Sequence, residues 1–378
     1  MIPVTRPYLP SREKLNKYID GIYERQWLTN NGQLVQELTR RLEDHLGVEN
    51  LLLVSNGTLA LQIAYRTLGI NKMVNGKPAQ AITTPFTFVA TASSLKWDGV
   101  QPVFADIDPQ TWCLSPENIE AEITPQTSAI VPVHVFGNAC NVEALGDIAQ
   151  KHNLKVIYDA SHAFGVTYKS ESLLKHGDAA TLSFHATKLF HTGEGGAIVF
   201  KRKEDLERAK KMINFGITGP ETIEELGINA KMNELQAAMG LCVLDEIDIL
   251  KTERKRIWCA YKQELTSYLQ LQQWNPQSKN NYAYAPVLLE NEAQLLKVES
   301  RLKENNILPR RYFYPSLDGL ADLKNKDNQE GIKNPETIQN SELKNWYSHD
   351  IASRILCLPI YSGLGVSQQE LIIKILKS

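Results

Sequence analysis

Cysteine is scarce in this chain. Its five copies, Cys113, Cys140, Cys242, Cys259 and Cys357, are odd in number, scattered, and never in C-x-x-C spacing. That distribution gives no sign of a disulfide framework or a zinc-ligand pattern. No metal site is expected, and a reducing compartment, the cytoplasm, is. An excess of charge of one sign is also missing: 41 Lys and Arg stand against 43 Asp and Glu, a formal net charge of −2. Near-balance of this kind argues against nucleic acid or an anionic membrane as the main partner. The short basic run KTERKRIW (251–258) follows acidic residues in a helical pattern and reads as a solvated face. No apolar run approaches membrane-spanning length, and the opening MIPVTRPYLPS has neither a cationic start nor an apolar core of a secretion signal. There is no internal repeat and no low-complexity tract. The expectation is a soluble protein with one large domain and one smaller one, long enough at 378 residues to bury ample core.

What is present is alternation. Between about residues 35 and 200, seven short β-type runs (NLLLVSN, AITTPF, QPVFADI, AIVPVHVFG, KVIYDAS, ATLSFHAT and GGAIVF) are interleaved with amphipathic stretches such as GTLALQIAYRTLG and NVEALGDIAQKHN. Strand-then-helix order requires crossovers, hence an α/β fold with a mostly parallel sheet and helices on both faces. Strands apolar throughout, such as AIVPVHV, fit burial on both sides. From Asn233 to about Leu269 the pattern reads as one long helix leaving the large domain. The expected division is 1–245, with an N-terminal helical arm, and 246–378, a small α+β domain. Within the latter, Gly319–Lys344 is polar and reads as loop.

Ligands of open parallel sheets gather at the carboxyl ends of the strands, and several features converge there. In SNGTLALQIA (55–64) a strand stops and a helix starts, so Gly57 and Thr58 sit where free N–H groups favour an anion. An ordinary capped turn is the plainer alternative. Asp159 ends the apolar strand of KVIYDASHAFG, with His162 three residues on. A carboxylate there either caps a following helix or answers a buried cation such as a protonated heterocyclic nitrogen. Lys188, in SFHATKLFHTGEGG, is then the candidate for a Schiff-base amine, provided its surroundings depress a pKa that is otherwise about 10.4. Ser183 and Thr187 flank it as possible phosphate contacts, and the glycines after it allow close backbone packing. Phe88, in TTPFTFVATASS, offers a ring to stack on a flat cofactor, or is simply core.

Taken in order, these motifs resemble a fold-type I pyridoxal-phosphate enzyme and, more narrowly, the DegT/DnrJ/EryC1/StrS family of nucleotide-sugar aminotransferases. The resemblance runs from WLTNNGQLVQELTRRLEDHLGV through NGTLALQIA, PFTFVATA, YDASHAFG, SFHATKLFHTGEGGAIV and KMNELQAAMG to RRYFYP. It implies pyridoxal 5′-phosphate as cofactor, with Lys188 and Asp159 as the catalytic pair. Lys188 bonds to the cofactor and then shuttles the proton; Asp159 keeps the pyridine nitrogen protonated. Phe88 stacks on the ring, His162 lies near it, and Gly57, Thr58 and Ser183 take the phosphate. Asn229 reaches the cofactor phosphate of a neighbouring subunit, which implies a homodimer with a shared site. Ala230 and Lys231 depart from the Tyr and Arg of many relatives.

The resemblance further implies L-glutamate as amino donor and a nucleotide-linked keto sugar as acceptor. SFHATK and EGG look like the branch aminating 4-keto sugars, whereas 3-keto enzymes more often read SFYPGKNLGA. The expected acceptor is therefore dTDP-4-keto-6-deoxyglucose, with the product destined for surface polysaccharide. Thr29, Asn30, His185, Tyr312 and Tyr314 are the implied sugar and nucleotide contacts. A UDP-linked 4-keto sugar and a 3-keto sugar remain alternatives. So do a non-enzymatic regulator and an enzyme of amino acids alone, for which Arg310 or Arg311 would hold the α-carboxylate.

Overall fold

The computed structural model describes residues 1–320, Leu323 and 346–378. Nearly all of the polar stretch up to Lys344 therefore lies outside the described residues.

Each of the seven β-type runs forms a strand: β1 (Leu51–Val54), β2 (Gln80–Thr83), β3 (Gln101–Phe104), β4 (Thr127–Val131), β5 (Lys155–Asp159), β6 (Ala179–Ser183) and β7 (Gly196–Phe200). They join in one sheet of order β1-β7-β6-β5-β4-β2-β3. Neighbours from β6 to β3 run parallel, and β7 alone is antiparallel to both its neighbours, β1 and β6. Around the sheet lie α1 (Arg12–Arg25), α2 (Gln33–Leu46), α3 (Gly57–Leu68), α4 (Ala90–Trp97), α5 (Val142–His152), α6 (Lys203–Met212) and α7 (Glu234–Asp245). Successive strand residues feed opposite cores. Leu51 and Leu53 join Ala197 and Val199 against α2, α5 and α7, while Leu52 and Val54 join Ile198 and Phe200 against α3, α4 and α6. Both faces are covered, which is why the strands show no polar alternation.

The long helix expected after Asn233 is two helices. Glu246 (φ −106°, ψ 1°) separates α7 from α8 (Ile247–Leu265). Burial changes there: α7 is enclosed nearly all round, with Ala237, Ala238, Leu241, Cys242 and Val243 in the core, whereas α8 turns only one stripe inward. Both segments suit a helix, so no breaker residue marks the joint. The basic run in α8 is only partly a solvated face. Arg254 is buried and donates to the carbonyls of Ala283 (3.2 Å) and Ile360 (3.1 Å).

The second unit has a three-stranded antiparallel sheet of β8 (Gln270–Leu271), β9 (Pro286–Leu288) and β10 (Ile355–Cys357), with α9 (Glu292–Glu304), α10 (Tyr347–Arg354) and α11 (Val366–Lys377). Its core gathers Ile257, Tyr261, Leu295 and Ile372. The chain's first strand, Ile2–Pro3, pairs with Ile307–Leu308 in this unit. Among the described residues no helix is long and apolar enough to cross a membrane.

Of the polar links between the N-terminal arm and the rest of the large unit, that of Glu234 is fully buried. Helix α2 begins at Gly32 with no side-chain cap of its own. The fully buried carboxylate of Glu234, the first residue of α7, accepts instead from the N–H groups of Leu34 (3.0 Å) and Val35 (2.9 Å). Two otherwise unpartnered donors of a helix start are satisfied by a negative charge from another helix. The Glu234 N–H in turn donates to the Leu28 carbonyl at 2.9 Å.

Candidate active site

A cleft of about 760 Å³ opens at the carboxyl ends of the parallel strands, and Tyr284, Arg310, Tyr312 and Phe313 of the second unit line its other side. Three chemically distinct groups meet in it.

The first is the start of α3. Asn56 caps the helix, its Oδ1 accepting from the Leu59 N–H at 2.9 Å. The N–H groups of Gly57 and Thr58, at the first two helical positions, have no partner within the helix and face an electropositive end. Close packing sets their position. A Cβ on Gly57 would lie 2.8 Å from Ser183 Cβ, and one on Gly196 would lie 2.7 Å from the Asn56 carbonyl carbon. Helix start, Ser183 hydroxyl and β7 are thus pressed together into an anion cradle. The glycine after Lys188 that matters here serves this turn.

The second is Asp159, the last residue of β5, 5% exposed. Its Oδ2 accepts from the Thr91 hydroxyl at 2.7 Å and its Oδ1 from the Ser161 N–H at 3.1 Å. A turn, and no helix, follows it, so a helix-capping role does not apply. No basic side chain is ion-paired with it among the described residues. A buried carboxylate so oriented is a ready partner for a cationic ligand.

The third is Lys188, whose Nζ donates to the Tyr284 hydroxyl at 3.1 Å. Burial draws its ammonium down to about 8, against the opposing pull of Asp159 and Tyr312. That brings the neutral, nucleophilic amine within reach of neutral pH. His162 is also buried, and burial, reinforced by the Lys188 charge, lowers its pKa well below the ordinary histidine value. It does not bond to Asp159. Its Nδ1 accepts from the Phe136 N–H at 3.2 Å, and its ring lies parallel to Phe313 at 5.7 Å.

The cleft brings together Gly57, Thr58, Phe88, Asp159, His162, Ser183, His185, Lys188 and Tyr312. Phe88 is 51% exposed at its edge, whereas Phe86 is core. His185 Nδ1 sits 2.8 Å from Thr187 Oγ1. Four residues lie outside the lining of this cleft in the single chain. Thr29, Asn30 and Asn229 are exposed on loops, and Tyr314 lies beneath the Arg311 guanidinium at 3.6 Å. Sequence reasoning missed Thr91 and Tyr284. Thr87 precedes α4 and Thr91 lies in its first turn, and their hydroxyls meet at 3.0 Å; the pair of threonines is too common a pattern to single out. Nothing in NYAYAP distinguishes Tyr284 from a core tyrosine.

The donor set fits pyridoxal phosphate: an anion cradle for the phosphate, a buried carboxylate for a protonated ring nitrogen, an amine for an aldehyde, and flat rings at the edge. The profile of the DegT/DnrJ/EryC1/StrS aminotransferase family matches residues 10–377. The chain is 41% identical to a dTDP-4-amino-4,6-dideoxy-D-glucose transaminase of Shigella dysenteriae, over 99% of this chain and 98% of that one. It is 36% identical to an Escherichia coli transaminase of the same name, over 100% and 97%. Among solved structures, DesI in the presence of its TDP-sugar product superposes with a TM-score of 0.87 at 31% identity, covering 100% of this chain and 92% of that one. The chain belongs to the DegT/DnrJ/EryC1/StrS aminotransferase family and is one of its pyridoxal-phosphate-dependent enzymes.

Proposed function

We propose that this enzyme moves the amino group of L-glutamate to C4 of dTDP-4-keto-6-deoxyglucose, giving dTDP-4-amino-4,6-dideoxyglucose for a surface polysaccharide. The observation that carries this is the similarity, at 41% identity and essentially end to end, to a transaminase named for that product. Bound pyridoxal phosphate supplies an electron sink and a carbonyl carbon that holds the amino group between the two substrates.

The chain's own residues do the rest. Gly57 and Thr58 N–H groups and the Ser183 hydroxyl bind the phosphate and fix the ring's position. Asp159, oriented by the Thr91 hydroxyl and the Ser161 N–H, keeps the proton on the pyridine nitrogen. Phe88 covers one ring face, with the neutral His162 near the ring. Lys188 Nζ, once released, takes the proton from the donor's Cα and delivers one to C4 of the sugar. Such work suits an amine whose pKa lies near the working pH. Thr29, Asn30, His185, Tyr312 and Tyr314 contact the nucleotide sugar, and Asn229 reaches the cofactor phosphate of a second subunit in a homodimer.

The test is to supply glutamate with dTDP-4-keto-6-deoxyglucose, a UDP-linked 4-keto sugar or a dTDP-linked 3-keto sugar, and to locate the new amino group by NMR. Amination at C4 of the dTDP sugar is expected. Turnover of only the UDP or 3-keto substrate, or of none, overturns the assignment.

A further inference from the structure

Tyr284 enters the cleft from the second unit, and the segment that carries it is pinned at several points. Asn281 is fully buried; its Nδ2 donates to the carbonyls of His162 (2.8 Å) and Phe164 (3.0 Å), and its Oδ1 accepts from the Ala283 N–H (3.1 Å). The Ala283 carbonyl accepts from buried Arg254 at 3.2 Å. The Tyr284 ring packs on His162, centroids 4.6 Å apart, and edge-on against Tyr312 at 6.1 Å. Polar bonds and ring contacts therefore leave the phenol oxygen little freedom, and it lies 3.1 Å from Lys188 Nζ. Burial raises the phenol pKa, so the hydroxyl keeps its proton across working pH.

We infer that Tyr284 is a positioning residue for Lys188: its hydroxyl holds the lysine nitrogen at the cofactor face of the cleft whenever that nitrogen is not bonded to the cofactor. A phenol can serve both protonation states of the amine, accepting from an ammonium and donating to a neutral nitrogen. A flexible four-carbon side chain otherwise samples many rotamers. Holding its end in place shortens the search for the cofactor's aldehyde carbon, both at first loading and each time the amine is displaced. This inference rests on Lys188 being the lysine that bonds to pyridoxal phosphate. In that step Nζ forms a C=N bond with the aldehyde carbon and one water leaves.

The experiment uses full-length protein stripped of cofactor. Pyridoxal phosphate is added, growth of the visible band of the lysine-bound cofactor is followed, and borohydride reduction with peptide mapping locates the bond. Tyr284→Phe is expected to slow attachment about tenfold. Its affinity for pyridoxamine phosphate, which has no aldehyde, is expected to stay within about twofold of wild type, since the phenol touches the lysine rather than the phosphate cradle. Equal attachment rates in the two proteins overturn the inference, as does a matching loss of pyridoxamine phosphate affinity, which marks Tyr284 as packing only. Failure of wild-type protein to become modified at Lys188 overturns the functional reading with it. Equal rates with Lys188 trapped overturn only the role of Tyr284.

Discussion

The floor and the rim of the cleft are built differently. On the floor, Asp159 is 5% exposed and accepts from Thr91 and Ser161, Ser183 ends β6, and Gly57 is in tight contact with Ser183. The proposed rim residues, which do not line the cleft in the single chain, differ: Thr29, Asn30 and Asn229 are exposed on loops, and Tyr314 is 49% exposed. Floor groups are fixed by strand ends and a helix start that the core dictates, so their own geometry is set within one chain. Rim groups are held more lightly, Tyr314 by the Arg311 guanidinium and Asn229 by a bridge to Asn214, and their side chains are exposed to substrate or to a second subunit. If the loop residues contact the sugar as proposed, chemistry and choice of substrate are carried by parts with different mechanical support.

The sharpest way to break that contrast is Lys188→Ala. Covalent cofactor attachment should vanish, and amino-sugar formation, followed chromatographically, should fall on the order of 10³-fold or more. Asp159→Asn should keep the fold and the cofactor yet lower turnover about 10²-fold, because an amide cannot hold the ring-nitrogen proton by charge. A loss of only about twofold would remove Asp159 from the chemistry. Attachment to the cofactor-free protein should rise about tenfold per pH unit below the Lys188 pKa and flatten above it. The neutral amine is the reacting form and its ammonium is drawn down to about 8, so stopped-flow rates across that range give the check. Gly57→Ala places a Cβ 2.8 Å from Ser183 Cβ. It should cost about 1–3 kcal/mol of stability by overpacking, measured by chemical denaturation, and weaken cofactor binding. Smallest is the rim: Thr29→Ala or Tyr314→Phe should raise KM for the nucleotide sugar by about 1 kcal/mol or less, with cofactor absorbance unchanged. A Thr29 or Tyr314 variant that loses the cofactor would erase the contrast.

How much of this was legible follows the same division. The strands could be read because each is apolar throughout and bounded by turn residues, and Asp159 stood out as a carboxylate ending such a run. Lys188 gained meaning only beside Asp159 and the Asn56–Gly57–Thr58 turn. Thr91 and Tyr284 stayed hidden because hydroxyl and phenol side chains occur in any core. Their partners, Asp159 and Lys188, lie 68 and 96 residues away in the chain. The break at Glu246 was invisible for a related reason: what ends α7 is a change in what surrounds the helix, and local propensity carries no record of it. The close approach behind Gly196 was expected, but its target, the Asn56–Gly57 turn, depends on β7 entering antiparallel beside β1.

The buried carboxylate of Glu234 has a bearing on engineering. It holds the start of α2 at Leu34 and Val35, and its own N–H holds Leu28. The rim residues Thr29 and Asn30 lie between those points, and Asn229 lies five residues before Glu234. Segments some 200 residues apart in the chain are thus joined through a single residue. A chimera that replaces the first arm alone would keep Glu234 partnered only if the imported helix starts in the same place, since its donors are the backbone N–H groups of residues 34 and 35. Transplanted together, the two segments keep this contact.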